Sequence, residues 1–82
     1  MVSNRTRGWQ GSSSKVHGRL AESVRDTRLA AGLTQAELAE RAGLERKTIS
    51  RIENQHLSPT IDTLVRIALV LRCDVADLID GA

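Results

Sequence analysis

Aromatic residues are almost absent from this sequence: it holds one tryptophan, Trp9, and neither tyrosine nor phenylalanine. Its core therefore has to be aliphatic, built from Leu, Ile, Val and Ala. That palette suits short packed helices better than a sheet, which favours aromatic and β-branched residues. Cysteine is nearly absent as well. A single Cys73 excludes an intramolecular disulfide and cannot build a zinc site. No apolar run approaches the roughly 20 residues of a membrane span. The N-terminus has no continuous apolar segment of signal-peptide type. Catalytic constellations are missing too: there is no Ser/His/Asp set, no paired carboxylates in an apolar context, no phosphate-cradling glycine loop and no metal-ligand spacing. His17 and His56 read as surface residues rather than ligands, and no cofactor is expected.

What remains is a chain of 82 residues, room for one domain, with 40% hydrophobic residues. Its 12 basic and 10 acidic residues give a formal charge of +2, a weak hint of an anionic partner. The distribution says more. In the last stretch Asp62, Asp74, Asp77 and Asp80 outnumber Arg66 and Arg72, so the C-terminal end is acidic and the rest basic.

Residues 1–15 are rich in Ser, Gly and Arg and lack apolar periodicity, which reads as a flexible arm. Arg5 and Arg7 could reach phosphates or a minor groove from it, and the sequence gives Trp9 no one role. The domain then runs over residues 16–82. Val16 to Ala31 reads as a first helix, with Leu20, Val24 and Thr27 on one face and Gly32 at a left-handed stop. Thr34 and Glu37 form a capping box that opens a second helix of about eight residues. Leu38, Ala39 and Ala42 are its inward positions, and Gly43 closes it. A third helix covers about Arg46 to Glu53, with Ile49 and Ile52 inward. Asn54 to Pro59 is a loop. Thr60 caps a fourth helix, with Ile61, Leu64, Ile67, Ala68 and Leu71 expected inward. Asp74 and Asp77 open a short fifth helix carrying Val75, Leu78 and Ile79. The fold class is all-α, with no strand.

Two short helices joined by a glycine-containing turn, over residues 35–53, have helix-turn-helix geometry. On the third helix Arg46, Lys47, Ser50 and Arg51 share one broad face, and Ile49 and Ile52 point the other way. A major groove admits such a helix, and Arg or Lys can pair with guanine O6 and N7. Thr48 offers a hydroxyl, or a methyl suited to thymine. Gln35 lies at the start of the second helix, where free N–H groups favour an anion such as phosphate. Thr34, Ser50, Asn54, Gln55 and His56 are further candidates for the DNA backbone.

The stretch Leu33-Thr34-Gln35-Ala36-Glu37-Leu38-Ala39, followed by Ala42-Gly43-Leu44 and Thr48-Ile49-Ser50-Arg51-Ile52-Glu53-Asn54, resembles the phage repressor/Cro-type (Xre-like) helix-turn-helix family. Pro59, Leu64, Ala68, Leu71, Asp74, Leu78 and Ile79 extend the resemblance over about Leu20 to Ile79. It implies a compact five-helix repressor-like bundle whose third helix is the recognition helix, with Arg46, Lys47 and Arg51 facing base edges. It also implies that Gln35 contacts phosphate and that Arg28 and Glu53 form a buried ion pair. Three positions depart from the pattern. Thr27 replaces a usual Leu and leaves the core looser. Glu45 replaces a Ser, Thr or Asp N-cap and caps poorly. Arg72 replaces a usual Gly at a helix end.

The expected function is sequence-specific binding of double-stranded DNA by a small cytoplasmic, nucleoid-associated regulator. A homodimer on a palindromic operator is expected, because one helix reads few base pairs. Val75, Leu78 and Ile79 are candidates for its interface or, equally, for closure of the monomer's core. RNA polymerase is a second candidate partner. The alternative from another class is an antitoxin or similar interaction module whose main partner is a protein, such as a cognate toxin, with DNA binding secondary.

Overall fold

The computed structural model describes residues 18–80. The expected arm with Arg5, Arg7 and Trp9, and the expected helix start at Val16 and His17, lie outside the described residues. Five helices follow one another, and no strand occurs among the described residues. They are α1 (residues 18–30), α2 (Gln35–Ala42), α3 (Arg46–Glu53), α4 (Ile61–Leu71) and α5 (Val75–Asp80). No helix among them is long and apolar enough to cross a membrane.

The starts of α2, α4 and α5 are written locally. Thr34 takes the N–H of Glu37 on its hydroxyl, and the Glu37 carboxylate takes the N–H of Thr34 at 2.9 Å, so both arms of the capping box form. Thr60 caps α4 by accepting from the Thr63 N–H. At α5 the Asp77 carboxylate reaches back to the Asp74 N–H at 3.1 Å. The ends share one device. At Gly32, Gly43, Gln55 and Arg72 the backbone turns left-handed, with φ of 73°, 70°, 61° and 57°. The N–H one residue beyond each turns back to the carbonyl five residues earlier: Leu33 to Arg28, Leu44 to Ala39, His56 to Arg51 and Cys73 to Ala68. This is the Schellman stop, which satisfies carbonyls the helix leaves open. Two of the four stops lack the glycine that makes the conformation easy.

Tertiary packing places α2 against α3 and α4, and α4 against α5. The core is aliphatic throughout: Leu20 and Val24 from α1, Leu38 and Ala39 from α2, and Ile49 and Ile52 from α3 are all buried. Leu64, Ile67, Ala68 and Leu71 of α4 complete it, together with Leu78 of α5. Thr27 is half-buried, at the rim of this core.

One expectation fails, and one open alternative narrows. Ile61 is 68% exposed rather than inward. The buried arc of α4 is centred near Leu64 and Leu71, and a step of four residues rotates about 40° around a helix. Ile61, Val65 and Leu69 therefore climb away from the core as an outward stripe. The alternative concerns α5. Leu78 is 1% exposed and Val75 packs against the core beside it. Leu78 therefore closes the monomer and offers no surface to a second copy, and Ile79 is only half exposed.

Candidate nucleic-acid interface

Helices α2 and α3 are joined by a three-residue connection, Gly43-Leu44-Glu45. Gly43 supplies the left-handed turn, and half-buried Leu44 packs on the core. This fixes the angle between the two helices from inside. α3 is then divided lengthwise. Ile49 and Ile52 are fully buried, while Arg46, Lys47 and Arg51 are exposed on the other side. Thr48 and Ser50 are half-buried at the edges of that face. Among the described residues, the side chains of Arg46, Lys47 and Arg51 make no hydrogen bond or ion pair with protein groups. Their donors are free for an outside acceptor.

Underneath lies a buried polar network. Arg28 donates through Nε to Glu53 Oε2 at 2.7 Å and through Nη2 to Glu53 Oε1 at 3.0 Å, a bidentate pair with side chains 9% and 3% exposed. Arg28 Nη1 donates to the Leu33 carbonyl at 2.8 Å. The bonds to Glu53 raise the Arg28 guanidinium above its ordinary pKa, burial opposing them. Arg28 sits near the end of α1 and Glu53 at the end of α3, so the pair ties the recognition helix to α1 and the turn at Leu33. Sequence reasoning missed a third member: Gln35 Nε2 donates to Glu53 Oε1 at 3.1 Å. Its amide is thus held against the network, leaving one N–H of the side chain and, in the first turn, the backbone N–H groups of Gln35 and Ala36 open.

The remaining candidates for the backbone lie around this motif. Thr34 is exposed at the start of α2, with its hydroxyl oxygen taken up by capping Glu37. Hydrogen bonding to Thr34, by its backbone N–H first and its side chain second, holds the Glu37 carboxyl below its usual range. Asn54 folds its amide back onto the Ser50 carbonyl at 2.8 Å and lies 3.4 Å from the Ser50 hydroxyl. Gln55 and His56 are exposed beyond the end of α3. The left-handed turn at Gln55 had no glycine to announce it. Cys73 is half-buried, and burial, followed by Asp77 and Asp74, pushes its thiol up, so the neutral form dominates. No group of three or more His, Cys, Asp or Glu side chains among the described residues could hold a metal ion.

Comparison with known proteins agrees with this geometry. The helix-turn-helix family profile matches residues 24–78. An HTH-type transcriptional regulator of Methanothermobacter thermautotrophicus is 46% identical over 48 residues, covering 58% of this chain and 70% of the relative. The control protein C.SmaI of Serratia marcescens is 38% identical over 60 residues, covering 73% and 71%. Among solved structures, the P22 c2 repressor in complex with a synthetic operator superposes with a TM-score of 0.72 at 25% identity, covering 77% of this chain and 96% of the repressor. A two-faced basic helix set on a glycine turn, and a match that runs from α1 to α5, lead to one conclusion: this chain belongs to the helix-turn-helix family of DNA-binding transcriptional regulators.

Proposed function

We propose that α3 enters the major groove of an operator, with Arg46, Lys47, Thr48 and Arg51 meeting base edges. Thr34, Gln35, Ser50, Asn54, Gln55 and His56 then face the sugar–phosphate backbone. The observation that carries this reading is the set of unpartnered cations on α3 directly opposite fully buried Ile49 and Ile52. A helix held by its apolar face presents the other to DNA without rearrangement. Arg and Lys there pair with guanine O6 and N7, each good bidentate contact discriminating by about 1–3 kcal/mol. Gln35, steadied by Glu53, supports a phosphate contact that sets orientation without reading sequence.

The reading includes two copies on a palindromic operator, since half-sites one helical turn apart double the sequence read. The face that supports pairing is the α4 stripe of Ile61, Val65 and Leu69, 68%, 39% and 73% exposed. It stands in place of Val75, Leu78 and Ile79 of α5, which the sequence offered equally as interface or as core. Beside it lie Asp62 and Arg66, bonded to each other at 3.0 Å and well exposed. Antiparallel α4 helices related by a two-fold axis would set each Asp62 near the partner's Arg66, a self-complementary arrangement. With that stripe occupied, a cognate toxin would need another surface. Binding at a promoter would block RNA polymerase, or recruit it from an adjacent position, which places the work on the chromosome in the cytoplasm.

Fluorescence anisotropy with the DNA upstream of the gene, a scrambled duplex and a salt series tests the proposal. The upstream duplex should bind at least about 10³-fold more tightly than the scrambled one. The Arg46→Ala/Arg51→Ala variant should erase that gap while staying folded. Equal, weak binding of both duplexes that collapses with salt would reject it. The Ile61→Asp/Leu69→Asp variant should sediment as a folded monomer and lose affinity for a two-half-site duplex more than for a single half-site.

A further inference from the structure

Helices α2 and α4 open on a threonine whose hydroxyl caps the first turn. The recognition helix does not. Its N-cap is Glu45, with the extended backbone from which a short side chain would turn back (φ −84°, ψ 146°), and no side-chain cap bond forms. Only the Glu45 carbonyl serves the helix, accepting from the Thr48 N–H at 2.9 Å. The carboxylate is exposed and has no hydrogen bond or ion pair among the described residues, although Arg46 and Lys47 follow it directly. An acidic group at this end of the reading helix weakens attraction to phosphate and gives up a cap. A local rule broken without a compensating contact marks a functional or strained position.

We propose that Glu45 is a specificity-determining residue, its carboxylate accepting a hydrogen bond from the exocyclic amino group of a cytosine beside a guanine read by Arg46 or Lys47. This rests on α3 entering the major groove with its N-terminal end at the bases, as helix-turn-helix docking does. An ionised carboxylate only accepts. In the major groove thymine O4 and guanine O6 and N7 are acceptors too and repel it. Cytosine N4 donates. Adenine N6 also donates, but its neighbour N7 faces the second carboxylate oxygen, so cytosine fits best. The same charge repels phosphates wherever no amino group compensates, so Glu45 lowers non-specific binding while sharpening the specific site.

Selection from a pool of randomised duplexes tests this, with the wild-type chain, Glu45→Gln, Glu45→Ser and the Arg46→Ala/Arg51→Ala control, alongside thermal melting of each. The wild type should select a cytosine next to a guanine. Glu45→Ser should melt higher because it restores the cap. It should also lose the cytosine preference by about 5- to 100-fold at that one position, keep the others, and bind non-specific DNA more tightly. Glu45→Gln should shift the same position towards adenine, since an amide pairs with adenine N6 and N7. If both variants select the wild-type sequence unchanged, Glu45 is only a poor cap and the proposal is overturned. A wild type that selects no sequence, or a control that selects the wild-type one, overturns the reading of α3 itself and this inference with it.

Discussion

Helices α2 and α3 have the same length, eight residues, and lie side by side in one motif, yet they are stabilised in different ways. α2 obeys local rules at both ends, with a reciprocal capping box at Thr34 and Glu37 and a left-handed glycine at Gly43. α3 breaks them at both ends. Its N-cap is an unbonded glutamate, and its stop is formed by Gln55 at φ 61° instead of a glycine. What α3 has instead is support from below: Ile49 and Ile52 in the core, and Glu53 locked to Arg28. The contrast teaches how the labour is divided. The scaffold helix is specified by its own sequence. The reading helix is specified by its partners, which frees its outer face and first residue for DNA.

The largest effects should come from cutting that support. Glu53→Ala leaves Arg28 buried without its carboxylate and should cost about 3–5 kcal/mol in denaturant unfolding. Arg28→Met/Glu53→Met, which removes both charges and keeps the volume, should be far milder, and an equal loss would deny the buried-charge explanation. Ile49→Ala should cost about 2–5 kcal/mol through lost burial and the cavity left behind. Differences between the helix starts come next. Thr34→Ala should cost about 1 kcal/mol, whereas Glu45→Ala should change stability by a few tenths at most, because only the first residue caps. Equal losses from the two would erase the distinction between the helices.

Smaller still are the stops. Gln55→Gly and Arg72→Gly should each stabilise by about 0.5–1 kcal/mol, since glycine removes left-handed strain but adds freedom to the unfolded chain. Glycine at Gly32 and Gly43 already has that advantage, so Gly43→Ala should destabilise. The smallest effect is with pH. The Glu37 carboxyl is held below its usual range by Thr34. Its contribution is therefore complete above the ordinary glutamate pKa and is lost as pH falls through the lower, folded value. The Thr34 amide resonance should titrate with that depressed midpoint and stop doing so in Glu37→Gln.

The same contrast explains what the sequence disclosed. The bounds of α2 were legible because Thr34, Glu37 and Gly43 act within a few residues of one another. The two faces of α3 were legible from the spacing of Ile49 and Ile52 against Arg46, Lys47 and Arg51. Whatever depends on distant chain was hidden. Arg28 and Glu53 lie 25 residues apart and were paired by family resemblance, not by spacing. Gln35 reaches Glu53 across 18 residues and gave no signal. Ile61 stands three residues before Leu64 and so falls within reach of the apolar arc, but only packing decides which edge of that arc is covered. Leu78 had two outlets of equal appeal, and the core took it. The left-handed turn at Gln55 was unreadable because its usual marker, glycine, is missing.

The most direct test of α3 as the reader is methylation interference on a duplex the protein binds specifically. Guanine N7 lies in the major groove, where Arg and Lys contact it, and adenine N3 in the minor groove. Methylation of guanine N7 in each half-site should abolish binding, and Arg46→Ala should become indifferent to methylation at one of those guanines. Interference confined to adenine N3, or an Arg46→Ala pattern identical to the wild type, would contradict the account.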